Sequence, residues 1–241
     1  MRLAILLLLS CTAGIGVYVA RKQRLAAEVL TDGVVVGDYA RLFRIVIPHE
    51  LPERPAVIIA YHGVGDTIES MAEYSQLDRL AVEHGMLVAF PKSHSGMWAL
   101  SQPLPETWEE HPELEFFDNL LVRLRDHYAV DPKQIYVMGM SNGGSFAQLL
   151  GVIRCSEINC VMAHSGSCPM QLAENLAPQI KRPVLMIVGS DDTAVKNAMQ
   201  ADLENYHAQN FPAELIVVPS LGHTWSPQHN KVAMDFFAKH R

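Results

Sequence analysis

Gln134-Ile135-Tyr136-Val137-Met138-Gly139-Met140-Ser141-Asn142-Gly143-Gly144-Ser145 decides how the rest of the chain is read. An apolar run leads into a serine flanked by glycines, and the residues from Ser145 to Leu150 have helical character. Gly139-Met140-Ser141-Asn142-Gly143 is therefore a GxSxG sequence in the order strand, tight turn, helix. Such a turn strains the serine backbone and exposes its hydroxyl at a helix N-terminus. There, unpaired N–H groups and the helix dipole favour a developing negative charge. Outside that setting the same residues would be an N-capping serine in a Gly-rich turn.

Working outward, short aliphatic runs at 42–47, 56–61, 86–90, 134–138, 158–162, 183–188 and 214–218 are expected as strands. Most lack polar alternation, the mark of strands covered on both faces, as in a parallel sheet. Amphipathic stretches at 70–84, 116–128, 142–153, 193–208 and 231–240 lie between them and are expected as helices. The alternation predicts an open, mostly parallel α/β sheet flanked by helices. In such a sheet, chemistry sits outside the carboxyl ends of the strands.

A serine hydroxyl is a weak nucleophile at neutral pH and needs a base, which in turn needs an orienting group. Both are found downstream in the order acid, then histidine. The run 183–188 ends in Gly189-Ser190-Asp191-Asp192-Thr193, and the run ending at Val218 leads into Leu221-Gly222-His223-Thr224-Trp225. His223 is the candidate base. Of the two carboxylates Asp192 is preferred, because Asp191 could cap the helix that follows. The oxyanion donors are expected to be the backbone N–H of Asn142 and, at the earlier strand end Tyr61-His62-Gly63-Val64-Gly65, that of Val64. His62 is read as a support for that turn rather than a second base.

The 241 residues carry 19 Lys+Arg against 26 Asp+Glu, a formal charge of −7, and 49% are hydrophobic. That balance, with no basic cluster longer than Arg21-Lys22-Gln23-Arg24, argues against nucleic acid as a partner. Residues 3–20 carry no charge and would form a helix about 27 Å long at about 1.5 Å per residue, close to the hydrocarbon thickness of a bilayer. Residues 1–24 are read as a signal peptide, a lipoprotein signal lipidated at Cys11, or a retained anchor, so export and possible membrane attachment are expected. Residues 25–241 are read as one domain. Cys155, Cys160 and Cys168 remain after Cys11; Cys155 and Cys160 are either a short local bridge or free thiols. Neither CxxC nor HExxH occurs, and neither metal nor cofactor is expected.

Tyr61-His62-Gly63-Val64-Gly65, Val130-Asp131-Pro132 ahead of Gly139-Met140-Ser141-Asn142-Gly143-Gly144, the segment from Gly189 to Val195, and Gly222-His223-Thr224-Trp225 together resemble the poly(3-hydroxybutyrate) depolymerase and feruloyl esterase group of α/β-hydrolases. The resemblance spans about residues 55 to 226. It implies an α/β-hydrolase fold with little or no lid, Ser141 as nucleophile, Asp192 as acid, His223 as base, and the Val64 turn as first oxyanion donor. Thr193 stands where that group has proline, and Val64 where it has cysteine. Trp98 resembles the aromatic lining the group's crevice, and Trp98 and Trp225 are both candidate substrate-binding residues. The acidic stretch 106–115 is read as a solvated loop.

The expected activity is hydrolysis of small or oligomeric carboxylic esters through an acyl-enzyme on Ser141. The alternatives are a peptidase or thioesterase on the same residues, or a non-catalytic binding protein. The length leaves no room for a polymer-binding domain, which favours soluble or short-chain esters.

Overall fold

The structure, a computed structural model, describes residues 25–98, 111–168 and 180–240. Among them eight strands form one sheet: Ala27–Val36 (β1), Tyr39–Pro48 (β2), Val57–Tyr61 (β3), Leu87–Pro91 (β4), Ile135–Met140 (β5), Cys160–His164 (β6), Val184–Gly189 (β7) and Ala213–Val218 (β8). The order across the sheet is β1-β2-β4-β3-β5-β6-β7-β8. The β1–β2 hairpin joins antiparallel, and every pairing from β4 to β8 is parallel. The helices are Ile68–Ser75 (α1), Leu77–His84 (α2), Pro112–Tyr128 (α3), Asn142–Ile153 (α4), Thr193–Ala208 (α5) and Asn230–Lys239 (α6).

Strands β3 to β7 are buried at every position, as continuous apolar runs require when helices cover both faces. Successive side chains point to opposite faces, so one strand feeds two cores. Val57, Ile59 and Tyr61 of β3 belong to one core together with Leu120 of α3, Phe146 of α4 and Tyr206 of α5. Ile58 and Ala60 belong to the core on the other face, together with Met71 of α1, Leu80 of α2 and Phe237 of α6. Each fully buried aliphatic or aromatic side chain contributes about 1.5–3 kcal/mol. Because β3 and β5 to β8 are parallel, their ends at Tyr61, Met140, His164, Gly189 and Val218 share one edge of the sheet.

The structure departs from the sequence expectation in three places. Strand β1 was not anticipated: its Thr31-Asp32-Gly33 centre interrupts the apolar run, and as an edge strand it buries few side chains. Its signal was the Gly37-Asp38 pair between two β-rich runs, a two-residue hairpin turn with Gly37 at φ 54°. The single helix expected over 70–84 is two, because Gln76 adopts φ 57° and ends α1 where α2 begins. Glu113, expected in a solvated loop, is buried in the first turn of α3, where it pairs with Arg41 at 2.9 Å. Residues 99–110 of that stretch lie outside the described residues. Cys155, Cys160 and Cys168 are all free thiols, so the open choice for Cys155 and Cys160 resolves against a bridge. Burial pushes the Cys160 and Cys168 thiols up to about 12.

Candidate active site

Ser141 stands between β5 and α4 with φ 54° and ψ −121°, a left-handed conformation that costs a non-glycine residue on the order of 1–3 kcal/mol. Two backbone bonds hold it there: the Ser141 N–H donates to His164 O at 2.8 Å, and Ser141 O accepts from the Ser145 N–H at 3.0 Å. Gly143 lets α4 approach β3, since a Cβ at that position would collide with the carbonyl oxygens of Tyr61 and His62. The sharp turn read from Gly139 to Gly144 is therefore a packing requirement as well as a sequence pattern.

His223 lies on the loop after β8, and its Nε2 is 2.9 Å from Ser141 Oγ. Its Nδ1 is 2.6 Å from Asp192 Oδ2 on the loop after β7. An ionised carboxylate can only accept, so Nδ1 carries the proton and Nε2 is free to accept from the serine hydroxyl. Asp192 is the carboxylate the sequence reading preferred. The capping argument behind that preference does not hold: Asp191 accepts from Ser190 Oγ at 2.8 Å and does not cap α5.

The acid and base loops are tied to each other. Asp191 N–H donates to Leu221 O at 3.0 Å, Ser190 N–H to Val218 O at 2.8 Å, and Ser220 N–H to Ser190 Oγ at 2.8 Å. Gly189 sits against the Leu221 carbonyl, where a Cβ would collide.

Val64 is exposed at the tip of the turn after β3, and Asn142 opens α4. Among the described residues neither backbone N–H has a hydrogen-bond acceptor. The turn is held by the Gly65 N–H donating to Gly96 O at 2.8 Å and the Gly63 N–H donating to Asp66 Oδ2 at 3.2 Å. His62 supports it, as the sequence suggested: Nδ1 donates to Gly63 O at 2.8 Å, and Nε2 accepts from the Ser93 N–H at 3.3 Å.

The two tryptophans behave differently. Trp98 was expected to line the crevice, but its ring is fully buried between Tyr61 and Phe146 and its Nε1 donates to His62 O at 2.9 Å. A side chain with no exposed surface offers nothing to a substrate, so Trp98 supports the site from within. Trp225 lies beside a cavity of about 430 Å³ that opens over Ser141. Val64, Asp66, Tyr74, His223 and Thr224 are among the residues that line it.

Three contributors went unread in the sequence. His164, at the end of β6, stacks on Trp225 with ring centroids 5.2 Å apart and accepts the Ser226 N–H on Nε2 at 3.1 Å. Burial and the neighbouring His229 and His223 push its pKa down to about 3, so it stays neutral and keeps accepting. Asp66 receives the Tyr74 hydroxyl at 3.0 Å. Burial and that carboxylate hold the Tyr74 phenol well above its ordinary range. Only the short spacing of Asp66 from His62 hinted at a role.

A parallel sheet with a serine on a strained strand-to-helix turn, facing a histidine and a carboxylate from the two following strand ends, defines the α/β-hydrolase class. Within that class the chain belongs to the dienelactone hydrolase family, whose model matches residues 44–240. It is 25% identical over 122 residues to feruloyl esterase B of Neurospora crassa, covering 50% of this chain and 42% of that protein. It is 26% identical over 156 residues to acetylxylan esterase A of Aspergillus ficuum, covering 61% of this chain and 49% of that one. The chain thus spans half or less of these relatives' lengths. The solved acetyl xylan esterase from Aspergillus awamori superposes with a TM-score of 0.72 at 17% identity, covering 87% of this chain and 99% of that structure, a likeness of fold.

Proposed function

We propose that this chain hydrolyses carboxylic esters through an acyl-enzyme on Ser141. The observation that carries the reading is the line Asp192–His223–Ser141, with contacts of 2.6 Å and 2.9 Å. As Ser141 Oγ attacks the ester carbonyl, its proton passes to His223 Nε2, and the bond from Nδ1 to Asp192 steadies the imidazolium. The carbonyl oxygen, now an anion, accepts hydrogen bonds from the N–H groups of Val64 and Asn142. The intermediate collapses and the alcohol leaves with the proton from Nε2. Water then gives a proton to Nε2 as it attacks the acyl group, and Ser141 Oγ departs with that proton, releasing the acid.

Membership of the dienelactone hydrolase family and relatives named as esterases support this reading over peptide cleavage. The substrates are proposed to be soluble or short-chain esters, since the cavity over Ser141 is small and open to solvent. The test is Ser141→Ala. Turnover of 4-nitrophenyl acetate and covalent labelling by a fluorophosphonate, both lost in that variant while its melting temperature is kept, are the expected outcome. Undiminished turnover in the variant overturns the assignment, and faster cleavage of peptide or thioester substrates would move it to those classes.

Residues 1–24 are proposed to carry the domain out of the cytosol. They lie outside the described residues, among which no helix is long and apolar enough to cross a membrane. The described chain begins beside Ala27, which pairs with Pro48 at the edge of the sheet opposite Ser141. An attachment there would leave the nucleophile facing away from the point of attachment. Fractionation of the full chain with mass analysis of its N-terminus separates cleavage, lipid on Cys11 and retention.

A further inference from the structure

Among the described residues that line the cavity over Ser141 there is one carboxylate, that of Asp66, and no lysine or arginine. Asp66 lines the wall beside the nucleophile. A methyl group placed on Gly63 would lie 3.0 Å from Asp66 Oδ2 and 3.5 Å from Ser141 Cβ, so the carboxylate is at most their sum, 6.5 Å, from that Cβ. Both protein donors, the Gly63 N–H and the Tyr74 hydroxyl, converge on Oδ2. Among the described residues Oδ1 accepts from nothing. No lysine or arginine among the described residues lines the cavity to offset the carboxylate's charge.

We propose that Asp66 sets substrate choice: it takes a hydroxyl or ammonium donor of the substrate on Oδ1 and rejects esters that bring a carboxylate near the scissile carbonyl. The inference rests on the ester-hydrolase reading and adds the substrate's charge class to it. An acceptor beside the nucleophile rewards an alcohol that keeps a second hydroxyl, as a glycerol or sugar ester does. An anionic acyl chain in the same place meets a like charge in a site partly shielded from water, a penalty on the order of tenfold or more in rate. Tyr74 remains a neutral donor through the working range and fixes the carboxylate without cancelling its charge.

The experiment compares 4-nitrophenyl butyrate with 4-nitrophenyl hemisuccinate, esters of equal chain length that differ in one carboxylate, and propyl butyrate with glycerol monobutyrate. In Asp66→Asn the side-chain oxygen still accepts from Gly63 and Tyr74, but the charge is gone. The wild-type enzyme should prefer butyrate over hemisuccinate and monobutyrin over propyl butyrate in kcat/KM. The variant should narrow the first preference on the order of tenfold, and the second several-fold. Equal losses on all four esters, with both ratios unchanged, would overturn the proposal and leave Asp66 as a support of the turn. If the variant does not fold, the wild-type ratio of butyrate to hemisuccinate can be followed from about 10 mM to about 500 mM salt. A ratio that narrows with salt supports the charge, and a flat one overturns it. A wild-type protein that hydrolyses none of the four and takes no fluorophosphonate refutes the ester reading instead.

Discussion

Asn142 and Trp98 are joined by a reciprocal pair of hydrogen bonds: the Trp98 N–H donates to Asn142 Oδ1 at 2.7 Å, and Asn142 Nδ2 donates to Trp98 O at 3.1 Å. The indole of the same tryptophan reaches His62 O at 2.9 Å. The two turns proposed to bind the oxyanion, one after β3 and one after β5, are thereby fastened to a single buried residue. Oxyanion stabilisation depends on donors that are already in place when charge develops, because reorganising them during the reaction would consume the gain. The segment from Ser93 to Trp98 thus acts as a brace between the turns.

Trp98→Phe tests that brace. The ring still fills the space between Tyr61 and Phe146, but the buried His62 carbonyl loses its donor, at a cost of about 1–3 kcal/mol. The expected outcome is a lower melting temperature together with a fall in kcat for 4-nitrophenyl acetate at nearly unchanged KM. A fall in KM alone, with kcat kept, would contradict a role in holding the donors.

The two adjacent carboxylates after β7 are separable by experiment. Asp192→Asn leaves the shape intact but removes the charge that steadies the imidazolium and introduces an amide N–H that can turn toward Nδ1 and favour the wrong His223 tautomer, so kcat should drop by about 10³–10⁴-fold. The exposed Asp191 side chain accepts from Ser190 Oγ, and its bond to Leu221 O runs through the backbone N–H, which Asn keeps, so Asp191→Asn should stay within a few-fold of wild type. Steady-state kinetics on the two variants side by side checks the assignment, which fails if their effects are reversed.

The order of the three residues proposed for catalysis was legible because chemistry constrains it. A serine turn, then an acid after one strand, then a histidine after the last strand leaves few placements, and Ser141, Asp192 and His223 meet at one edge of the sheet. The central strands were legible because burial on both faces writes long apolar runs. What escaped had no local signature. Edge strand β1 buries little and so reads as a loop, and the break at Gln76 is a left-handed residue that any polar side chain could supply. A tryptophan two residues after a glycine reads the same whether it faces a crevice or a core, so Trp98 was misplaced. His164 and Asp66 acquire their roles only from what β6 and the Gly63 turn are packed against.

Gly189 offers a test of the packing that brings acid and base together. A Cβ there would meet the Leu221 carbonyl, a backbone atom that cannot rotate away, whereas a Cβ on Gly222 has open space around it. Gly189→Ala should lose about 1–3 kcal/mol of stability by forcing the two loops apart, and fluorophosphonate labelling should slow as His223 moves off Asp192. Gly222→Ala should melt close to wild type. Thermal unfolding and labelling rates on both proteins check the pair, and equal melting temperatures would show that the loops absorb the extra carbon.

His164 makes stability depend on pH in a direction that can be worked out. Its pKa is about 3 when folded, against 6.5 for an ordinary histidine, because burial and the neighbouring His229 and His223 oppose a charge there. Between these values the unfolded chain binds a proton that the folded protein refuses, so acid favours unfolding. The stabilising contribution is complete above about pH 6.5 and declines by up to about 1.4 kcal/mol for each pH unit toward pH 3. In His164→Gln the amide oxygen can still accept the Ser226 N–H, but nothing titrates at that position. The expected result is a melting temperature lower than wild type at pH 7.5 and a shallower loss between pH 6.5 and pH 4. Urea unfolding of both proteins across that range measures the difference in slope, and parallel curves would mean that His164 does not carry the acid sensitivity.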